Sequence, residues 1–586
     1  MTEPKLLPGA EPGLKLWQVW LALVLFLTIQ ALPLIWNQTA QEPDDYVRLL
    51  QVRDLLNGQS WFDTRQYRMD PPFGMEMHWV RLVDIPIAIA LGFFKLFLAP
   101  SWAETAAMTV VPLFQLFIAM LVMRGAMRKL GLPPGQVLMA LAIIPLFPLL
   151  LSNFMPMRID HHGWQAVAAA FVTWMLLCGT KRAAFAGGAI TALWLYISVE
   201  GMPLAAAIGA VYAWRYWWQG RREIESFLLG LALAGPAQFL VLRPLFDYAS
   251  AYCDMLSWPH FLAFAGAAAA FMLTRILPGQ ASRSGRLLAM IPVPLVAAPA
   301  LLLPLGICAV SPMATLAPIL HDHWWVYLIE SAPLWKQHAS AAGMLIATIV
   351  VIALGLRLAL QQEMEAGERQ RWIEYGAVVG AAGAISLIVM RGGINAQLLA
   401  LPFAALILRE LLPRARALPG MGQRVLATFA CFVIATPTLA SGALKVFDGR
   451  TAYTLVANPY LNQDGPCDIR VLRKLPPAHM FATIDRGPEI LVRTHHTAVV
   501  GGYHRNQKKM IEVLMAFSGP IDQARSIIKA NHADYVIACT GSPDLAAYAN
   551  FGKDNLADRI FEKRVPDWLQ PVPGFATGNL RLYRVR

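Results

Sequence analysis

Runs of roughly 20 apolar residues recur along the chain, apolar on every side, separated by short polar links. That is the pattern of helices that cross a bilayer, not of helices with one wet face. The runs fall at about 16–36, 105–124, 137–153, 162–179, 184–199, 202–218, 226–246, 259–277, 286–307, 341–360, 373–390, 394–411 and 424–444. They predict about 13 transmembrane helices. One further apolar run, 85–98, has only about 14 residues, too few to cross, and predicts a re-entrant or interfacial helix. Beyond about 445 the pattern changes. Short strand-like runs, such as Met480 to Ile484 and Tyr535 to Cys539, alternate with helix-like stretches at 507–517 and 520–531. The expected fold is an α-helical polytopic membrane region over 1–444 with a soluble α/β domain over 445–586.

The polar links are of two kinds. Those at 124–129, 181–182, 215–222, 275–286, 369–371 and 409–424 are basic, and basic links stay on the cytoplasmic side. The long link 37–104, the link 155–163, the turn at Glu200, the stretch 308–340 and the C-terminal domain alternate with them and are expected outside. Counting 85–98 as a span would put 124–129 outside, so that run is read as part of the first external loop. An odd number of spans places the N-terminus inside and the C-terminal domain outside. The run 16–36 is long enough to span, and no small-residue cleavage motif follows it, so it is read as a span and not as a signal peptide.

Composition agrees. Of 586 residues, 57% are hydrophobic and 15% charged, where a soluble protein would have about a quarter charged. The net charge of +12 resides in the short links, and no basic patch interleaved with stacking aromatics marks a nucleic-acid partner. Of six Cys, Cys178 and Cys431 fall inside apolar runs, and Cys253 and Cys308 near helix ends. Cys467 and Cys539 lie in the C-terminal domain, where an oxidising compartment allows a disulfide between them. No Cys/His spacing of a zinc site occurs.

The residues able to do chemistry gather on the expected external side. The first loop opens with Pro43-Asp44-Asp45-Tyr46 directly after a span. Adjacent carboxylates repel unless a cation lies near, although the same residues also suit the capped start of a helix. The link between the third and fourth spans holds Asp160-His161-His162, in which Asp160 and His162 could chelate Mn²⁺ or Mg²⁺ or simply cap a helix. The stretch around 321–331 is aromatic, as an interface would be, and ends on Glu330. Arg391 closes a span on the external side, against the positive-inside bias, and such misplaced charges mark function. Glu200 is a further external carboxylate between two spans, equally readable as a polar turn residue. In the C-terminal domain, His504 and Arg505 could read a glycan or phosphate or could be turn residues.

Together these motifs resemble the GT-C superfamily of membrane glycosyltransferases, most closely the catalytic subunit of oligosaccharyltransferases. The likeness covers residues 16–445. Asp44-Asp45-Tyr46 matches that family's early acidic motif, and Asp160-His161-His162 the second acidic motif of its archaeal members. Tyr327-Leu328-Ile329-Glu330 is similar to its Glu-bearing loop motif, and Arg391 stands where the family places an arginine on the lipid phosphate. The resemblance implies a divalent ion, Mg²⁺ or Mn²⁺, held by Asp44, Asp160 and His162. It implies that Asp44, with Asp45, acts on the acceptor, that Glu330 positions metal or acceptor, and that Arg391 binds the donor phosphate. The implied reaction moves a sugar, with inversion, from a polyprenyl-phosphate or polyprenyl-diphosphate donor to a glycan, lipid or envelope component. The implied location is a bacterial inner membrane, with the C-terminal domain periplasmic. The family's Trp-Trp-Asp sequon motif is not matched: Trp324-Trp325 lies in the loop 308–340 and lacks the Asp. The competing readings are a protein oligosaccharyltransferase, a polysaccharide polymerase or ligase, a lipid-sugar transporter or flippase, and a scaffold. A transporter would carry charges near mid-bilayer and inverted repeats, whereas these charges cluster at one boundary.

Overall fold

The structure is a computed structural model that describes residues 14–450 and 467–586. Residues 1–13 of the expected cytoplasmic N-terminus, and 451–466 of the domain expected over 445–586, lie outside the described residues. Each apolar run of the sequence is helical, and the chain is an α-helical membrane protein with a small C-terminal sheet. Among the described residues, seven helices are long and apolar enough to cross a membrane, or eight if one bent pair counts as a span. Some runs, 137–153 and 424–444 among them, are interrupted where proline removes a backbone donor. The run 137–153 breaks into Pro134–Ala142, a 3₁₀ turn Ile144–Leu146 and Pro148–Asn153, with Pro145 and Pro148 at the breaks. The run 424–444 bends by 95° between Met421–Ala435 and Thr438–Asp448, at Pro437. The short run 85–98 forms the helix Asp84–Phe94, 11 residues long.

The chain forms two compact units. The first comprises Met1–Asn37, Met108–Gly306 and Ile329–Asp448. Its centre is the helix Gly393–Arg416, on which every residue from Ala396 to Leu408 is buried. Small residues let neighbouring helices touch backbone to backbone. A Cβ on Gly188 of the helix Lys181–Ile197 would stand 1.9 Å from the Phe227 carbonyl oxygen, and one on Gly230 would stand 2.1 Å from that of Phe185. The helix Met202–Gln219 is tied to Ala366–Ile388 by an ion pair in which Arg215 Nε lies 2.7 Å from Glu374 Oε1, both side chains 2% exposed.

The second unit comprises Gln38–Ala107, Ile307–Leu328 and Gly449–Arg586. Its sheet contains β1 (His479–Phe481), β2 (Thr497–Ala498), β3 (Tyr535–Cys539), β4 (Leu569–Pro571) and β5 (Leu580–Val585), in the order β2-β1-β3-β5-β4. The pairs β1–β2 and β1–β3 are parallel, and β3–β5 and β4–β5 antiparallel. Strand alternation sends Val536 and Ala538 into one core with Phe481, Leu514 and Phe517, and Tyr535 and Ile537 into another with Met480, Leu472 and Ile490. Leu316, Leu320 and Trp324 belong to the first of these cores. That part of the aromatic stretch is therefore packed inside this unit, and Trp324 is only 9% exposed. The first loop joins the sheet directly, since Ala498 N–H donates to the Arg68 carbonyl at 3.0 Å. Cys467 and Cys539 form a disulfide.

Candidate active site

In the first unit, the link before the helix His162–Cys178 turns sharply at Met157, whose φ of 70° is left-handed. The Met157 N–H donates to the Met108 carbonyl at 2.9 Å and anchors the turn. The helix can start close to its neighbour because residue 163 is glycine: a Cβ there would meet Gln115 Oε1 at 2.5 Å. This brings Asp160, His161 and His162 together, all buried. Asp160 Oδ1 lies 2.5 Å from His161 Nδ1, and Asp160 Oδ2 lies 3.3 Å from His162 Nε2. The two rings are 4.3 Å apart. Arg158 adds a guanidinium 3.9 Å from Asp160 Oδ2. Burial alone would raise the Asp160 carboxyl, but the imidazoles of His161 and His162 and the Arg158 guanidinium hold it well below the usual carboxylate range. One ligand atom from each of the three residues lies within 4.8 Å of the others. One carboxylate oxygen and two imidazole nitrogens on a buried turn are a donor set that fits a divalent ion.

Three short turns of the same unit converge beside this cluster. Arg391 sits in the 3₁₀ turn Met390–Gly392, Glu200 in Val199–Gly201 and Glu330 in Ile329–Ser331. Arg391 Nη1 lies 2.7 Å from Glu200 Oε1, and Nη2 lies 2.8 Å from Glu330 Oε1 and also donates to Ser331 Oγ. Glu330 and Arg391 are near enough to His162 to act on its imidazole electrostatically. The first unit therefore gathers five of the residues singled out in the sequence: Asp160, His162, Glu200, Glu330 and Arg391.

The others lie in the second unit. Asp44 is in the first turn of the helix Pro43–Leu56, where its Oδ1 accepts from the Tyr503 hydroxyl at 3.0 Å. Asp45 is 0% exposed, and its carboxylate accepts the Glu42 N–H at 3.0 Å in a capping box. His504 and Arg505 occupy the 3₁₀ turn His504–Asn506. There the His504 ring lies 4.9 Å from that of His78, and Arg505 pairs with Glu76 at 2.9 Å.

The sequence did not single out His161, Arg158, Ser331 or Tyr503. Arg158 carried a signal, being a cation in an expected external link of the kind that had singled out Arg391. The contacts of Ser331 and Tyr503 join segments remote in sequence and had none.

No protein-family model matches the sequence, and no curated protein matches it significantly. Solved structures share the fold. The chain superposes on the oligosaccharyltransferase AglB from Archaeoglobus fulgidus, solved with an inhibitory peptide and a dolichol-phosphate, with a TM-score of 0.64 and 15% identity over 97% of this chain and 74% of the other. The same organism's oligosaccharyltransferase in complex with Zn and sulfate gives 0.61 and 15% identity over 97% and 73% of the two chains. Its apo form gives 0.62 and 14% identity over 95% and 73%. The chain thus shares its fold with these solved oligosaccharyltransferases.

Proposed function

We propose that the chain is a metal-assisted, inverting membrane glycosyltransferase. It moves a sugar from a polyprenyl-phosphate or polyprenyl-diphosphate donor to an extracytoplasmic glycan, lipid or envelope component. The observation that carries this reading is the buried Asp160-His161-His162 cluster beside the Arg391–Glu330–Glu200 group. A cation-binding set next to an arginine held at the mouth of a span suits an anionic, lipid-linked substrate. The structural neighbours solved with dolichol-phosphate and with Zn and sulfate support the same substrate chemistry.

Asp160, His161 and His162 would hold the ion. Two imidazoles favour Mn²⁺ or a similar transition ion over Mg²⁺, which prefers oxygen. When bound, the ion neutralises charge on the phosphate leaving group. Arg391 grips the same phosphate with its planar fork, and Glu330 orients the guanidinium. An acceptor hydroxyl oxygen attacks the anomeric carbon from the face opposite the phosphate. The new C–O bond forms as the sugar–phosphate C–O bond breaks, the phosphate leaves with the electron pair, and Asp44 takes the hydroxyl proton. The reaction faces the periplasm of a bacterial inner membrane.

The test uses membrane vesicles with a radiolabelled polyprenyl-phosphate sugar and the endogenous acceptors. Asp44→Ala, Asp160→Ala and Arg391→Ala each abolish transfer while the protein still inserts and folds. Wild-type transfer in all three overturns the assignment.

A further inference from the structure

Within the second unit lies a cavity of about 420 Å³ that has no part in the proposed chemistry. Arg53, Arg473, Arg493, His495, Ser101 and Glu104 line it. Two of the arginines are walls. Arg53 holds Glu104 with Nε and Nη2, each at 2.6 Å, and donates Nη1 to the Val492 carbonyl at 2.6 Å. Arg493 donates to the Gln38 carbonyl and Thr39 Oγ1, and pairs with Glu489 at 3.3 Å. Arg473 is different. Its Nε donates to the Arg493 carbonyl, which fixes the side chain, and its two Nη groups make no further hydrogen bond among the described residues. It is an exposed cation with no carboxylate partner among them, and His495, also exposed, stands in the same lining. A planar fork held by one edge is the donor geometry for the oxygens of a phosphate or carboxylate.

The chain leading to this cavity is apolar and unburied. Phe93, Leu96, Phe97 and Trp102 are 56%, 73%, 71% and 41% exposed. They lie within a few residues of Pro100 and Ser101, both in the cavity lining. The helix Pro100–Lys129, which begins there, is long and apolar enough to cross a membrane. An aromatic collar of this kind belongs at the level of lipid headgroups. A cationic cavity whose lining continues along the chain into exposed hydrocarbon matches one class of amphiphile, a lipid whose head is anionic and whose chains run along that hydrocarbon.

We infer that this cavity is a binding site for an anionic phospholipid of the surrounding bilayer, its phosphate held by Arg473 and its acyl chains lying against Phe93, Leu96, Phe97 and Trp102. The site is independent of the transferase reading and does not need it.

The test is native mass spectrometry of the full-length protein in detergent, titrated with phosphatidylglycerol, with phosphatidylethanolamine, and with inorganic phosphate as competitor. Wild-type protein retains phosphatidylglycerol at least tenfold better than phosphatidylethanolamine, and millimolar phosphate does not displace it. Arg473→Glu loses the preference, and Phe97→Ser lowers phosphatidylglycerol retention several-fold with no change in melting temperature. Equal retention by wild type and Arg473→Glu overturns the inference. So does equal retention of the two lipids. Displacement by inorganic phosphate with no effect of Phe97→Ser also overturns it, because the site would then take a free anion and not a lipid. Arg473→Gln, melted beside the wild type, separates a lost site from a lost fold.

Discussion

Asp485 makes the stability of the second unit sensitive to pH between about 4 and 7. It follows β1 in the second unit, where burial, and then the nearby Asp544 carboxylate, push its carboxyl from the usual 3.8 up to about 7, against the pull of Arg486. In the unfolded chain it titrates near 3.8. Between these values the native protein binds a proton that the unfolded chain has lost, so stability falls as pH rises from about 4 to about 7 and is level outside that window. At about 1.4 kcal/mol per pKa unit, the loss across the window is on the order of a few kcal/mol. Asp485→Asn keeps the shape of the protonated acid and removes the titration. The assay is hydrogen–deuterium exchange of peptides covering β1 and β3 at pH 5 and pH 8, corrected for intrinsic exchange. Wild-type protection should drop between the two pH values by a factor of 10 or more, since each 1.4 kcal/mol is tenfold, and the variant's should not. Asp544→Asn should give a smaller drop than the wild type, because burial alone then raises Asp485, without the neighbouring carboxylate. Equal pH dependence in wild type and Asp485→Asn would refute the reasoning.

Three further outcomes follow from the geometry. Glu374→Gln leaves the buried Arg215 without its counter-charge and should cost about 3–5 kcal/mol, read as a lowered melting temperature in detergent, whereas Arg215→Met with Glu374→Leu should recover most of it. Gly188→Val drives a side chain into the Phe227 carbonyl and should cost at least about 1–3 kcal/mol or block folding, whereas Gly380→Ala, where a Cβ meets nothing, should melt like the wild type. Asp160→Asn removes the one charged member of the candidate cation-binding set and should weaken Mn²⁺ binding by more than the roughly 10–100-fold that loss of an outer-shell partner costs, measured by electron paramagnetic resonance of the free ion. Unchanged Mn²⁺ affinity would show that the cluster is a hydrogen-bonded helix cap and not a metal site.

The apolar helices were legible in the sequence because a bilayer imposes them locally. Every backbone group in lipid must be bonded within its own helix, so a run of about 20 apolar residues already implies a helix. The same local logic set aside 85–98 as too short and found β3 from its residue type. It also singled out Asp160 and His162, since both stand on one turn. What the sequence did not show is decided by packing between segments far apart in the chain. Arg391 meets Glu200 and Glu330, 191 and 61 positions away, only once their turns are brought to one end of the helices. His161 becomes a possible ligand only because the turn at Met157 and the bare backbone of Gly163 set the angle at which the helix begins. Asp45, adjacent to Asp44 and chemically identical, turns inward to cap its helix while Asp44 reaches Tyr503. Trp324 carries the composition of an interfacial residue, yet it is buried in the same apolar cluster as Phe481 and Ile484. Periodicity and length settle which segments enter the membrane. Which polar side chains meet is settled by distances between helices and turns, and no local pattern encodes those.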